Sequence, residues 1–265
     1  CYNTFKERSD HMIRYYCSGF DSNNAFGHGL GDMFKEDLKD MKRIVYIPGG
    51  PHKVEKAISK SVPEFIKHFE KVGIKFDESI IITPDMSKED AKSYVESASF
   101  IMLMGGDPFK QREMCEELEI LDSIKNSKAV ILGFSAGAML MSKYTIITPC
   151  SDEYPDFHIE DGLNLDGISI YPHNNTDSYE YPDSLDIGGE FYQKNDLIKV
   201  ACGYGNYYLL QDYTDDGITF DVSLIRVKDG NMEFHTENNG KIWVAAPDEV
   251  QLEYPKTKKT LFITI

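Results

Sequence analysis

The 265-residue chain has no apolar run approaching the roughly 20 residues that a membrane-spanning helix needs. Its first eleven residues are polar and mixed in charge, and they lack the apolar central stretch of a signal peptide. Cysteine is sparse and unpatterned. Cys1, Cys17, Cys115, Cys150 and Cys202 make no C-x-x-C pair and no Cys/His ligand spacing. This argues against a disulfide framework or a structural zinc site, and for a reducing, cytoplasmic setting. Basic residues are in deficit, 28 Lys and Arg against 44 Asp and Glu, for a formal net charge of -16. Such a field repels nucleic acid and anionic membrane surfaces, so neither is expected as a partner. No cluster of side chains suggests a metal or an organic cofactor.

What is present is an alternation of short β-rich runs with longer helical ones. Ile13–Cys17, Arg43–Ile47, Ser79–Thr83, Phe100–Met104 and Ala129–Leu132 read as strands. Helical periodicity covers 32–41, 54–72 and 111–125, and Ser87 with Asp90 forms an acidic variant of a capping box that opens another helix. The strand runs are apolar throughout rather than alternating, as in strands covered on both faces. The expected fold is therefore α/β, a mostly parallel central sheet with helices on both faces. After about Asp196 the runs become short and β-rich, and Asp229-Gly230 is a hairpin signal, so the C-terminal part is read as an antiparallel extension of that sheet. Residues 151–189, rich in Asp, Tyr, Pro and Asn, read as long active-site loops around one strand.

The chemistry centres on Gly133-Phe134-Ser135-Ala136-Gly137, a G-x-S-x-G sequence between an apolar strand and a helix-compatible run. A sharp strand-to-helix turn holds such a serine in a strained backbone conformation and requires small neighbours, which Gly133, Ala136, Gly137 and Ala138 supply. The hydroxyl then stands at a helix start, where N–H dipoles favour developing negative charge. A nucleophilic serine needs a base. Among seven histidines, His173 closes the strand 167–171 as Pro172-His173, at the carboxyl-end edge of the sheet from which elbow turns emerge. The third group should be a carboxylate that orients the imidazole; Asp152 is preferred, with Glu153 next. Oxyanion donors are expected from the amide of Ala136 and from the Gly105-Gly106 turn, where glycine permits close approach of the substrate.

Three segments in order, Phe100–Asp107, Gly133–Ala138 and Pro172-His173, resemble the aspartyl dipeptidase (peptidase E) and cyanophycinase family of serine peptidases. That family shares its fold with class I glutamine amidotransferase domains. The resemblance runs from about Met12 to about Leu210. Residues 1–11 look like an extra leader, and 12–265 a single hydrolytic domain. The resemblance implies Ser135 as nucleophile, His173 as base 38 residues on, a carboxylate in the Asp152/Glu153 region, and oxyanion donors from Gly106 and Ala136. It also implies a small peptide as substrate; the oligomeric state is left open. Two departures stand out. Asp107-Pro108 replaces the family's usual Asn and Thr. In addition, residues 174–189 contain no Arg or Lys, whereas aspartyl dipeptidases carry an Arg in this loop for the acidic side chain. Aspartyl specificity is therefore not carried over.

Two other readings use the same residues. A carboxylesterase of the α/β-hydrolase type would also use G-x-S-x-G but would place its base late, at His235. A catalytically silent ligand-binding domain on the same scaffold would keep the fold without the reaction.

Overall fold

The computed structural model describes residues 12–20, 25–27, 29–147, 154, 158–173, 184–187, 190–193, 207–211, 222–237, 240–246, 249–254 and 262–264. Five parallel strands make its centre: β1 (Ile13–Cys17), β2 (Arg43–Gly49), β3 (Glu78–Ile81), β4 (Phe100–Gly106) and β5 (Val130–Phe134). Further along come β6 (Tyr144–Ile147), β7 (His158–Asp161), β8 (Ser169–Tyr171), β9 (Ser184–Ile187), β10 (Glu190–Gln193) and β11 (Tyr207–Gln211). The last five are β12 (Val222–Lys228), β13 (Asn231–Glu237), β14 (Lys241–Ala246), β15 (Glu249–Tyr254) and β16 (Phe262–Thr264).

The main sheet runs β13-β12-β1-β5-β4-β2-β3, with β12 antiparallel to β1 and β13 antiparallel to β12. The antiparallel extension is thus present, but only two strands of it join the main sheet. β14, β15 and β16 instead join β11 and β8 in a five-stranded sheet. β3, read as buried, is the edge strand and is half exposed. β2 runs two residues beyond its expected end, to Gly49.

Helices cover both faces, as the two-sided apolar strands require. On one face lie α1 (Leu30–Asp37) and a continuous helical segment, residues 51–71. That segment passes from a 3-10 turn through α2 (Val54–Lys56) and a π turn (Ala57–Ser61) into α3 (Val62–Lys71). On the other face lie α4 (Lys88–Glu96), α5 (Pro108–Glu117), α6 (Leu121–Lys125) and α7 (Ala136–Met141). Ser87 caps α4 by accepting the Asp90 N–H, as its sequence suggests. The single helix expected over 111–125 is two. Glu119, at φ 57°, takes the left-handed position that usually falls to glycine; its N–H donates to Glu116 O, that of Ile120 donates to Cys115 O, and the helix stops there.

Alternate residues of each strand feed separate cores. Tyr15, Ile44, Tyr46, Phe100, Met102 and Leu132 pack with Phe26, Phe34 and Phe69 beneath α1 and α3. Val45, Ile47, Ile101, Leu103 and Ile131 pack with Met114, Ala138 and Leu140 beneath α4 to α7. Among the described residues, no helix is long and apolar enough to cross a membrane.

Candidate active site

β5 ends at Phe134 and α7 begins at Ala136, leaving Ser135 alone in the turn at φ 51° and ψ -119°. A side chain there is strained by about 1–3 kcal/mol, which persists only where the surroundings enforce it. Two glycines enforce it here. A Cβ on Gly137 would lie 2.0 Å from Leu103 O, and one on Gly133 would lie 2.6 Å from the Gly137 carbonyl carbon. Helix α7 therefore seats directly on the backbone of β4 and β5, and no larger residue fits at either end of the pentapeptide.

Ser135 Oγ stands 2.9 Å from His173 Nε2. His173 follows β8 and is itself at φ 55°. Ser135 and His173 are two of only five described non-glycine residues with positive φ, so backbone strain gathers where their side chains meet.

The end of β1 holds both. The Ser135 N–H donates to Cys17 O at 3.0 Å. The His173 N–H donates to Ser18 Oγ at 2.8 Å, and the Ser18 hydroxyl donates to Leu210 O at 3.2 Å. Ser18 is fully buried, and its own N–H donates to Ser223 O. Sequence reasoning did not single out Ser18. Its partners are 155, 192 and 205 residues away, and only its place one residue past a buried strand hinted at it.

The Gly105-Gly106 turn lies beside Ser135. A Cβ on Gly105 would be 3.4 Å from Ser135 Cβ, and one on Gly106, at φ 154°, would be 2.5 Å from Gly49 O. Ala136 is the first residue of α7, where a backbone N–H has no intrahelical acceptor. Asp107, where the resemblance leads one to expect Asn, caps α5 by accepting the N–H groups of Phe109 and Lys110 at 3.0 and 3.1 Å, with Pro108 at the first helical position. Its other oxygen accepts the Tyr154 hydroxyl at 2.7 Å.

Asp152 and Glu153 lie outside the described residues, as do 1–11 and most of 174–189. His235 is mid-strand on β13 at the sheet edge, separated from β5 by β12 and β1. His158 contacts Glu160 at 3.0 Å on the exposed strand β7. Among the described residues, no group of His, Cys, Asp and Glu side chains could hold a metal ion.

Ser135 and His173 open onto a cavity of about 440 Å³, floored by the Gly105-Gly106 turn and walled by the helical segment 51–71. Two buried ion clusters lie elsewhere in the fold. Arg226 pairs with Asp37 and Glu233, and Lys228 with Asp37 and Glu36. Burial acts to raise the Asp37 carboxyl, but hydrogen bonds from Arg226, Tyr15 and Lys228 outweigh it and hold the group below the usual carboxylate range. Around Arg14 the balance is reversed. Burial pushes the Asp166 carboxyl up, against the opposing charge of Arg14 and a hydrogen bond from Tyr16.

No curated protein sequence matches the chain. Among solved structures, it is similar to a peptidase from an acI-B1 Actinobacterium (15% identity, 95% of this chain and 97% of that one, TM-score 0.59). It is also similar to a candidate peptidase E from Listeria monocytogenes EGD-e (16% identity, 86% of this chain and 99% of that one, TM-score 0.54). At such identities these likenesses show the fold, that of glutamine amidotransferase-like α/β domains. The profile of peptidase family S51 matches residues 17–200, more than half of the sequence. The chain belongs to peptidase family S51, the peptidase E and cyanophycinase family of serine peptidases.

Proposed function

We infer that the protein cleaves short peptides through a covalent acyl-enzyme, with Ser135 as nucleophile and His173 as base. The contact of 2.9 Å between Ser135 Oγ and His173 Nε2, at the mouth of a cavity, carries this reading. With its proton on Nδ1, His173 accepts the Ser135 proton at Nε2 as Oγ attacks the peptide carbonyl. It then returns that proton to the leaving amine, and water releases the acyl group by the reverse sequence. The amides of Ala136 and Gly106 are the proposed donors to the tetrahedral oxyanion. A carboxylate, Asp152 or Glu153, is the proposed partner of Nδ1. Ser18 and Cys17 are positioning residues in this scheme: they fix the backbone of base and nucleophile.

Residues 12–265 are proposed to act as one hydrolytic unit, since acceptors on β11 and β12 serve Ser18. The unpatterned cysteines support a cytoplasmic setting.

A fluorophosphonate probe should label the wild type and not Ser135→Ala. His173→Ala should lower kcat by roughly 10²–10⁴-fold or more, whereas His235→Ala should leave it within twofold. Labelling that survives Ser135→Ala, or activity lost only in His235→Ala, would overturn the assignment. Comparing Asp152→Asn with Glu153→Gln identifies the acid as the one whose loss lowers kcat.

A further inference from the structure

The cavity beside Ser135 is aromatic where it meets the nucleophile. Phe134, the residue before Ser135, lies with its ring edge 3.0 Å from where a Gly105 Cβ would be. Phe20 packs edge-on to Phe134 at 5.1 Å and to Phe65 at 5.9 Å, and Phe65 contacts Phe134 at 5.5 Å. All three rings line the cavity and are half-buried. Behind them the array continues without a break. Phe26 stacks on Phe65 at 5.9 Å and meets Phe69 at 4.4 Å, and Phe69 reaches Phe100 on β4. The wall is therefore anchored in the core and pre-formed, so a ligand side chain entering it meets rigid apolar surface and little ordering cost.

The lysines and the glutamate of the cavity, and its His68, come from one wall. Lys53, Lys56 and Glu64 all come from the helical segment 51–71, and Lys56 and Glu64 are exposed. Lysines so placed lay their alkyl stems along the cavity and keep their ammonium groups in water.

We propose that the Phe20–Phe65–Phe134 wall is the subsite for the side chain on the acyl side of the scissile bond, and that it selects aromatic and other large apolar residues. The acyl residue is the one whose carbonyl meets Ser135 Oγ, so its side chain is the part of a peptide held within reach of the Phe134 ring. Edge-to-face contact with three rings favours an aromatic side chain over an aliphatic one of similar size. Against the three rings themselves an aspartyl side chain would lose hydration without gaining a hydrogen bond; the donors Lys53, Lys56, Ser61 and His68 line the cavity from the helical segment 51–71. The inference rests on Ser135 being the nucleophile.

Two measurements keep the inference separate from that premise. In the full-length Ser135→Ala protein, which reads binding without turnover, calorimetry should show Phe-Ala binding at least tenfold more tightly than Asp-Ala. In the wild type, kcat/KM for phenylalanyl amides should exceed that for aspartyl amides by at least tenfold. Phe65→Ala should bring both ratios to within threefold. Should that variant not fold, Phe65→Leu keeps apolar volume without the ring and should lower the phenylalanyl-to-leucyl ratio at least threefold. Equal or better binding of Asp-Ala, or ratios untouched by changes at Phe65, would overturn the proposal even if the probe labels Ser135. Tight Phe-Ala binding in a protein that no probe labels would uphold the subsite and sink the hydrolytic assignment instead.

Discussion

The two faces of the main sheet are packed by different chemistry, although the same strands supply both. Toward α4, α5, α6 and α7 the core is aliphatic, built from Val45, Ile47, Ile101, Leu103 and Ile131, and it is closed by α7 lying directly on backbone. Toward α1 and α3 it is aromatic, and its rings continue outward until they line the cavity at Ser135. Small aliphatic groups let elements approach closely; large flat rings leave edges that a ligand can meet. One face thus sets the position of Ser135, and the other offers surface to whatever approaches it. The buried arginines follow the same division. Arg226, on the aromatic face, is matched by three carboxylates, Glu36, Asp37 and Glu233. Arg14, on the aliphatic face, lies 3.8 Å from Asp166 and has Nε and Nη1 without a hydrogen-bond partner among the described residues.

The largest loss is expected from Gly137→Ala. The added methyl must displace the Leu103 carbonyl 2.0 Å away, backbone against backbone. Stability should fall by about 3 kcal/mol or more, with labelling of Ser135 lost even in the fraction that folds. A melt unchanged within a degree would show that α7 is not seated as described. On the aromatic face, Phe69→Ala should cost about 3–5 kcal/mol, since the ring is buried and contacts Phe26, Phe34, Phe76 and Phe100. Serine labelling of the folded fraction should persist, and that persistence is what separates the faces.

Asp37→Asn sharpens the contrast between the arginines. It leaves Arg226 buried with less countercharge and should cost up to about 3 kcal/mol at neutral pH. The Asp37 carboxyl is held below its usual range in the folded protein, so its contribution is complete above the unfolded value of roughly 4 and is lost as pH falls through the folded value. Chemical denaturation at pH 7 and pH 3 should therefore show the difference between wild type and variant shrinking in acid. A gap that widens in acid would contradict the assigned sign.

Much of this was legible in the chain because it is local. Nearly continuous apolar runs at β2, β4 and β5 announced a doubly covered parallel sheet, and Gly73, at φ 81° just past α3, is the residue type that ends a helix. Ser135 was visible through its glycines; Gly133 is required by a contact with Gly137 within the same turn, whereas Gly137 is required by Leu103 on β4. His173 was expected at the carboxyl edge of the sheet that carries the elbow; β8 belongs instead to the five-stranded sheet, and its end brings His173 Nε2 to 2.9 Å from Ser135 Oγ. Long-range pairing was not legible. Nothing near Ser18 announces that His173, Leu210 and Ser223 converge on it. The division of the late strands between two sheets is likewise decided by partners far away in sequence. The break at Glu119 was missed for a different reason: a glutamate occupies a position where glycine is the usual signal.

The Ser18 hydrogen bonds also bear on when the enzyme can first act during its own synthesis. The segment matched by the family profile ends at residue 200 and already contains Ser135 and His173. Yet Ser18 finds its acceptor on Leu210 and its own N–H finds Ser223, both beyond that point. A nascent chain that has emerged only to residue 200 holds Ser135 and His173 without the two carbonyls that anchor their support. The support of Ser135 and His173 is then completed late in translation, after the strands around the pair are in place.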